Sequence, residues 1–98
     1  MPSIVFDVDG TLIHKTGEET DTPRYDVISL YHFFEKIGYE MYIWSGSGKD
    51  YAENWKRKLG LFSATVMEKT PHNAEHVFFP DLTVDDKDVV LGMLNIKV

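Results

Sequence analysis

The stretch Ser3–His14, SIVFDVDGTLIH, decides the fold. Ile4, Val5, Phe6 and Val8 are β-formers, and Asp-Gly ends the run, so residues 3–8 read as a strand. Asp7 and Asp9 sit at i and i+2, which places their side chains on one side of the strand, about 7 Å apart. Two carboxylates at the end of a buried strand repel each other and resist desolvation. The arrangement is costly unless a cation sits between them or the site does chemistry.

Working outward, the chain alternates. Residues 10–26 are polar and rich in turn formers, and read as a loop or small flap. From Asp26 or Val27 to Ile37 the apolar residues recur at helical spacing, with Asp26 as the expected N-cap and Gly38 as the stop. Tyr39–Trp44 reads as a strand ending at SGSG, and Lys49–Leu59 as a helix closed by Gly60. LFSATVM is the third strand. TPHNAEHV is a short helix with Thr70 as N-cap and Pro71 at the first position. DLTVDD is the fourth strand, Asp88–Leu94 a last helix and NIKV a terminal strand. Strands alternating with helices predict an α/β fold, a Rossmann-like three-layer sandwich with a mostly parallel sheet. The 98 residues are expected to form a single domain, 1–98.

In such sheets ligands bind at the carboxyl ends of the strands. Asp7 and Asp9 end the first strand, Ser45 and Gly46 the second, Asp85 and Asp86 the fourth, and Lys69 follows the third. Four carboxylates with one lysine form an all-oxygen site suited to Mg²⁺, which keeps several waters and binds substrate phosphate. A carboxylate nucleophile, a second carboxyl to shuttle protons, a hydroxyl, a lysine and a metal together suit phosphoryl transfer.

Composition agrees. A hydrophobic fraction of 43% supports a core, and no apolar run approaches the roughly 18–20 residues that span a bilayer. Neither a membrane segment nor a cleavable leader is expected. The chain has no cysteine, which excludes disulfides and thiolate zinc sites and suits a cytoplasmic protein. A net charge of −6 disfavours a broad electrostatic grip on nucleic acid, yet leaves room for a small basic patch at a site.

Three rival readings are weaker. As a calcium EF-hand loop starting at Asp7, the chain would need glycine where Leu12 stands. GSGKD lacks the glycine and the Ser/Thr of a P-loop, with Ile43 and Asp50 in their places. HNAEH, His72–His76, matches a zinc-protease pattern on a helix too short to carry it.

DVDGT, WSGSG, Lys69 and VDDKD, in that order, resemble the motifs of the haloacid dehalogenase superfamily of aspartate-nucleophile phosphohydrolases. The resemblance covers nearly the whole chain, and DxDGT is its most specific part. It implies that Asp7 is the nucleophile and Asp9 the general acid/base. It implies that Ser45, with Gly46, holds the phosphoryl group, and that Lys69 binds that group and orients Asp7. Mg²⁺ is the implied cofactor, held among Asp7, Asp9, Asp85 and Asp86. Asp86 is expected to be the direct ligand with Asp85 beside it, an assignment the resemblance leaves exchangeable. The short spacings leave no room for a cap domain, so the chain resembles the capless members.

Among these it is similar to the phosphatase module of bacteriophage polynucleotide kinase, which implies 3′-phosphate ends of nucleic acid or nucleotides as substrate. It departs from that module at Lys87, where an arginine is frequent. A small phosphorylated metabolite such as a sugar phosphate, or a non-catalytic role in holding a phosphorylated partner, are the alternatives on the same scaffold.

Overall fold

The computed structural model describes residues 1–15 and 21–98; positions 16–20 of the expected flap lie outside the described residues. The element order is β1 (Ser3–Asp7), β2 (Ile13–His14), β3 (Thr22–Pro23), α1 (Tyr25–Lys36), β4 (Glu40–Ser45), α2 (Lys49–Leu59), β5 (Thr65–Glu68), a π-helical turn (Asn73–Val77), β6 (Leu82–Asp85) and β7 (Leu94–Lys97). Five strands form one parallel sheet in the order β5-β4-β1-β6-β7. The fold is α/β and Rossmann-like, as the alternation predicts. β2 and β3 make a separate short antiparallel pair where the flap leaves and rejoins the core.

The strand order explains where the layers lie. From β1 the chain steps outward through α1 to β4 and through α2 to β5. Right-handed crossovers in one direction put both helices on one face. That face carries the main core: Ile4, Phe6, Met41, Ile43, Val66 and Val84 from the sheet, Val27 and Tyr31 from α1, and Ala52 from α2. The return from β5 to β6 runs in the opposite sense and must cover the other face. It does so thinly. Ala74 from the π-helical turn and Phe78 directly after it pack on Val5 and Trp44, with Leu91 alongside.

Two local expectations change. α1 begins one residue early, at Tyr25, and Asp26 does not cap it; instead Asp26 pairs with Arg24 at 2.9 Å. The helix expected over 88–94 does not form. β6 and β7 are parallel neighbours, so residues 86–93 must carry the chain back from the end of β6 to the start of β7, and so few residues span that distance only when extended rather than helical. Asn95 Oδ1 accepts from the backbone N–H groups of Leu91 and Gly92 and from Thr83 Oγ1, which anchors the end of that return beside β7. The Thr70 cap is real: its Oγ1 accepts the N–H of Asn73 at 3.0 Å. α2 runs over the expected residues and stops at left-handed Gly60.

Candidate active site

β1 lies between β4 and β6, so the direction of winding reverses beside it. This switch point is where an open α/β sheet leaves a crevice at its carboxyl edge. A cavity of about 520 Å³ opens there, lined by Asp7, Asp9, Ser45, Gly46, Lys69, Asp85 and Asp86 among others. The structure brings every candidate residue to one pocket. Parallel register achieves this: Asp7 pairs with Trp44, one residue before Ser45, and Phe6 pairs with Val84, one before Asp85.

The carboxylates are not equivalent. Asp7 and Asp85 are buried, 7% and 1% exposed. Lys69 Nζ bridges them, 2.5 Å from Asp85 Oδ2 and 3.5 Å from Asp7 Oδ1. The other Asp85 oxygen accepts the N–H of Lys87 at 3.1 Å. Asp86 is different: its Oδ1 is buried without a hydrogen-bond partner. An unpaired buried carboxylate oxygen is costly. Oxygens of Asp7, Asp85 and Asp86 can all lie within 4.8 Å of one another, close enough to share one cation. The donor set is hard, all-oxygen and partly unsatisfied, which fits Mg²⁺.

Asp9 stands apart from that group. Its Oδ1 accepts a hydrogen bond from the Tyr51 hydroxyl, at the first turn of α2. Burial and that bond to Asp9 push the Tyr51 hydroxyl above its ordinary pKa, so it remains a donor. The expectation that the Asp9 side chain joins the cation-binding carboxylates therefore differs from its placement: among the described residues the clustered ligands are Asp7, Asp85 and Asp86.

Ser45 is buried, and its Oγ accepts the N–H of Ser47 at 3.0 Å, which leaves the hydroxyl proton to point elsewhere. Its carbonyl accepts the N–H of Lys69 at 2.9 Å, so the β4 terminus and the lysine are held together. Thr70, Pro71, Ala74, Lys87 and Leu91 complete the pocket wall. Of these only Lys87 lies within a motif, VDDKD; the others arrive with the connections that cover the thin face. Tyr51 also escaped the sequence reading, and its place six residues after Ser45, one turn into a helix, was the available signal. His72 and His76 face each other, ring centroids 5.3 Å apart, on the exposed side of the π-helical turn.

Gly10 closes the site from below. Its φ of +76° is left-handed, and a Cβ at this position would collide with the Asp86 carboxylate. Gly10→Ala should therefore cost about 1 kcal/mol or more in stability from backbone strain. It should also displace Asp86 and weaken Mg²⁺ binding, measured by thermal denaturation with and without the metal. Unchanged metal affinity would show that Asp86 does not depend on the close approach.

The electrostatics set a pH dependence. Burial, then the charge of Asp85, pushes Asp7 from 3.8 up to about 7, with Asp86 adding to the rise and Lys69 opposing it. Burial works against the Lys69 charge, but the Asp85 hydrogen bond and the Asp7 and Asp85 charges outweigh it and raise its pKa. A carboxyl whose pKa is raised on folding binds a proton in the native state that the unfolded chain has released. Metal-free protein should thus lose stability as pH rises from about 4 to about 7, by a few kcal/mol in order of magnitude, and level off above. Melting curves in EDTA across that range check this; Asp7→Asn should flatten the slope.

No protein-family model matches the chain, and no curated protein matches it. Among solved structures, a chain in "Structure of Pnkp1/Rnl/Hen1 complex" is similar, with a TM-score of 0.66 over 99% of this chain and 17% sequence identity. This chain corresponds to 47% of that chain's length. The likeness is one of fold.

Proposed function

We propose that this chain is a Mg²⁺-dependent phosphomonoesterase of the haloacid dehalogenase type, in its capless form, and that residues 1–98 act as a single catalytic domain. The observation that carries the reading is the convergence, at one sheet edge, of Asp7 bridged by Lys69 to Asp85, with a partnerless Asp86 oxygen beside them. A purely structural cluster would have its buried oxygens paired.

The reaction is two in-line displacements. Asp7 attacks phosphorus and the ester P–O bond breaks, its electron pair leaving with the departing oxygen. Asp9 gives that oxygen a proton. Water then attacks the aspartyl-phosphate, passes a proton to Asp9, and the bond pair returns to Asp7. Lys69 and Ser45 hold phosphoryl oxygens and offset charge as it develops. Asp7, Asp85 and Asp86 would hold Mg²⁺, which when bound supplies charge neutralisation for nucleophile and phosphate.

For the substrate we infer a phosphorylated nucleic-acid or nucleotide end. The resemblance of the tail to the polynucleotide kinase module supports this, as does the fold shared with a chain of the Pnkp1/Rnl/Hen1 complex. The pocket opens without a covering domain among the described residues, which suits a large substrate. A turnover panel tests both levels: oligonucleotides with 3′- or 5′-phosphate, mononucleotides and sugar phosphates, each with Mg²⁺ or EDTA. The expected result is Mg²⁺-dependent phosphate release with the highest kcat/KM on the 3′-phosphate end. Release favouring sugar phosphates would overturn the substrate assignment. No metal-dependent release from any of them would favour a protein that only binds a phosphorylated partner.

A further inference from the structure

Tyr51 carries an inference beyond the motif residues, resting on the phosphatase reading above. Its hydroxyl donates to Asp9 Oδ1, and it accepts from Lys15 Nζ at 3.4 Å. Lys15 is itself paired with Asp21 at 3.0 Å. A chain of contacts thus runs Asp21–Lys15–Tyr51–Asp9, joining the two ends of the flap to α2 and to the pocket. The ammonium group lies 5.7 Å from the Tyr51 ring centre, which adds a cation–π contact. α2 is a rigid base for this arm: Ala52, next in sequence, is fully buried in the core, and the Tyr51 ring packs against the same cluster.

We propose that Tyr51 is a positioning residue for the general acid: its hydroxyl anchors Asp9 Oδ1 and so turns Oδ2 toward the departing oxygen. Lys15, donating to the Tyr51 oxygen, turns the hydroxyl proton toward Asp9 Oδ1. In the first displacement the proton on Oδ2 passes to the departing oxygen as the P–O bond breaks. The resulting carboxylate keeps the Tyr51 hydrogen bond. In the second, the attacking water returns a proton to Oδ2, so the residue ends as it began. Tyr51 neither gains nor loses a proton in the cycle.

Leaving-group dependence separates this role from a structural one. A departing alkoxide needs the proton, whereas a p-nitrophenolate leaves readily without it. Tyr51→Phe keeps the ring and its packing and removes the hydroxyl. We expect its kcat/KM on an alkyl phosphate, glycerol phosphate being the probe, to fall at least about tenfold further than on p-nitrophenyl phosphate. A circular dichroism melt confirms that the variant is folded. Equal losses on the two esters, or none, would overturn the inference while leaving the phosphatase reading intact. Absence of turnover in the unsubstituted protein would overturn that reading, and the inference with it.

Discussion

Replacing Asp7 by asparagine should lower turnover by about 10⁴-fold or more, with the fold intact. The size follows from the role. Asparagine has no lone-pair oxygen of comparable nucleophilicity, so the covalent route is closed rather than slowed. Removing a nucleophile from other covalent hydrolases leaves only the contribution of binding and electrostatics, and costs about 10⁴- to 10⁶-fold. The fold should survive because β1 is held by parallel pairing on both sides and by Ile4, Val5 and Phe6, all buried. Indeed, the substitution removes a buried carboxylate facing Asp85 and Asp86, so metal-free Asp7→Asn protein should melt no lower than the unsubstituted one. Steady-state assays and melting curves on the same preparations check both halves. An inactive variant that is also unfolded would leave the nucleophile assignment without this support; retained turnover in a folded one would refute it.

The second large effect concerns the metal. Asp86→Ala should abolish the response of activity to Mg²⁺ and cut turnover by about 10²-fold or more. Its Oδ1 has no protein partner, so its removal breaks no hydrogen bond at that atom and relieves repulsion with Asp7. The variant should therefore be as stable as the parent in EDTA. In Mg²⁺ the parent should gain stability, about 2.7 kcal/mol at a hundredfold excess over Kd, and the variant should not. Asp85→Ala should behave otherwise. It leaves Lys69 without its 2.5 Å partner and so should destabilise the protein even without metal. This contrast assigns the two adjacent aspartates, which the motif alone left exchangeable. Equal behaviour of the two variants would count against the assignment.

Much of this was legible in the sequence. The alternation of β-formers with 3.6-period helices fixes an α/β sheet, and strand ends place Asp7, Ser45 and Asp85 at one edge. Lys69 was identifiable only by its position after the third strand; the pairing of Ser45 with Glu68 carries it to the pocket. What the sequence hid has a physical reason in each case. DVVLGML looks helical by composition, but it must run back between two parallel strands, and Asn95 holds the backbone of Leu91 and Gly92 in that extended return. The parting of Asp9 from the other carboxylates depends on a tyrosine from a different element, a contact no local pattern announces. The partnerless state of Asp86 Oδ1 likewise follows from tertiary placement, because Lys69 is already taken by Asp85 and Asp7.

The central claim is that Asp7 takes the phosphoryl group, and Asp9→Asn protein offers the most direct test. With p-nitrophenyl phosphate the first displacement does not need the acid, whereas the second needs a base to receive the water proton. The phosphoryl group should therefore accumulate on the enzyme. Acid-quenched protein, digested and analysed by mass spectrometry, should show one phosphoryl group on the peptide containing Asp7, formed with Mg²⁺ and absent with EDTA. Release of p-nitrophenol at more than one equivalent per enzyme, with no phosphoryl group on that peptide at any quench time, would contradict the account.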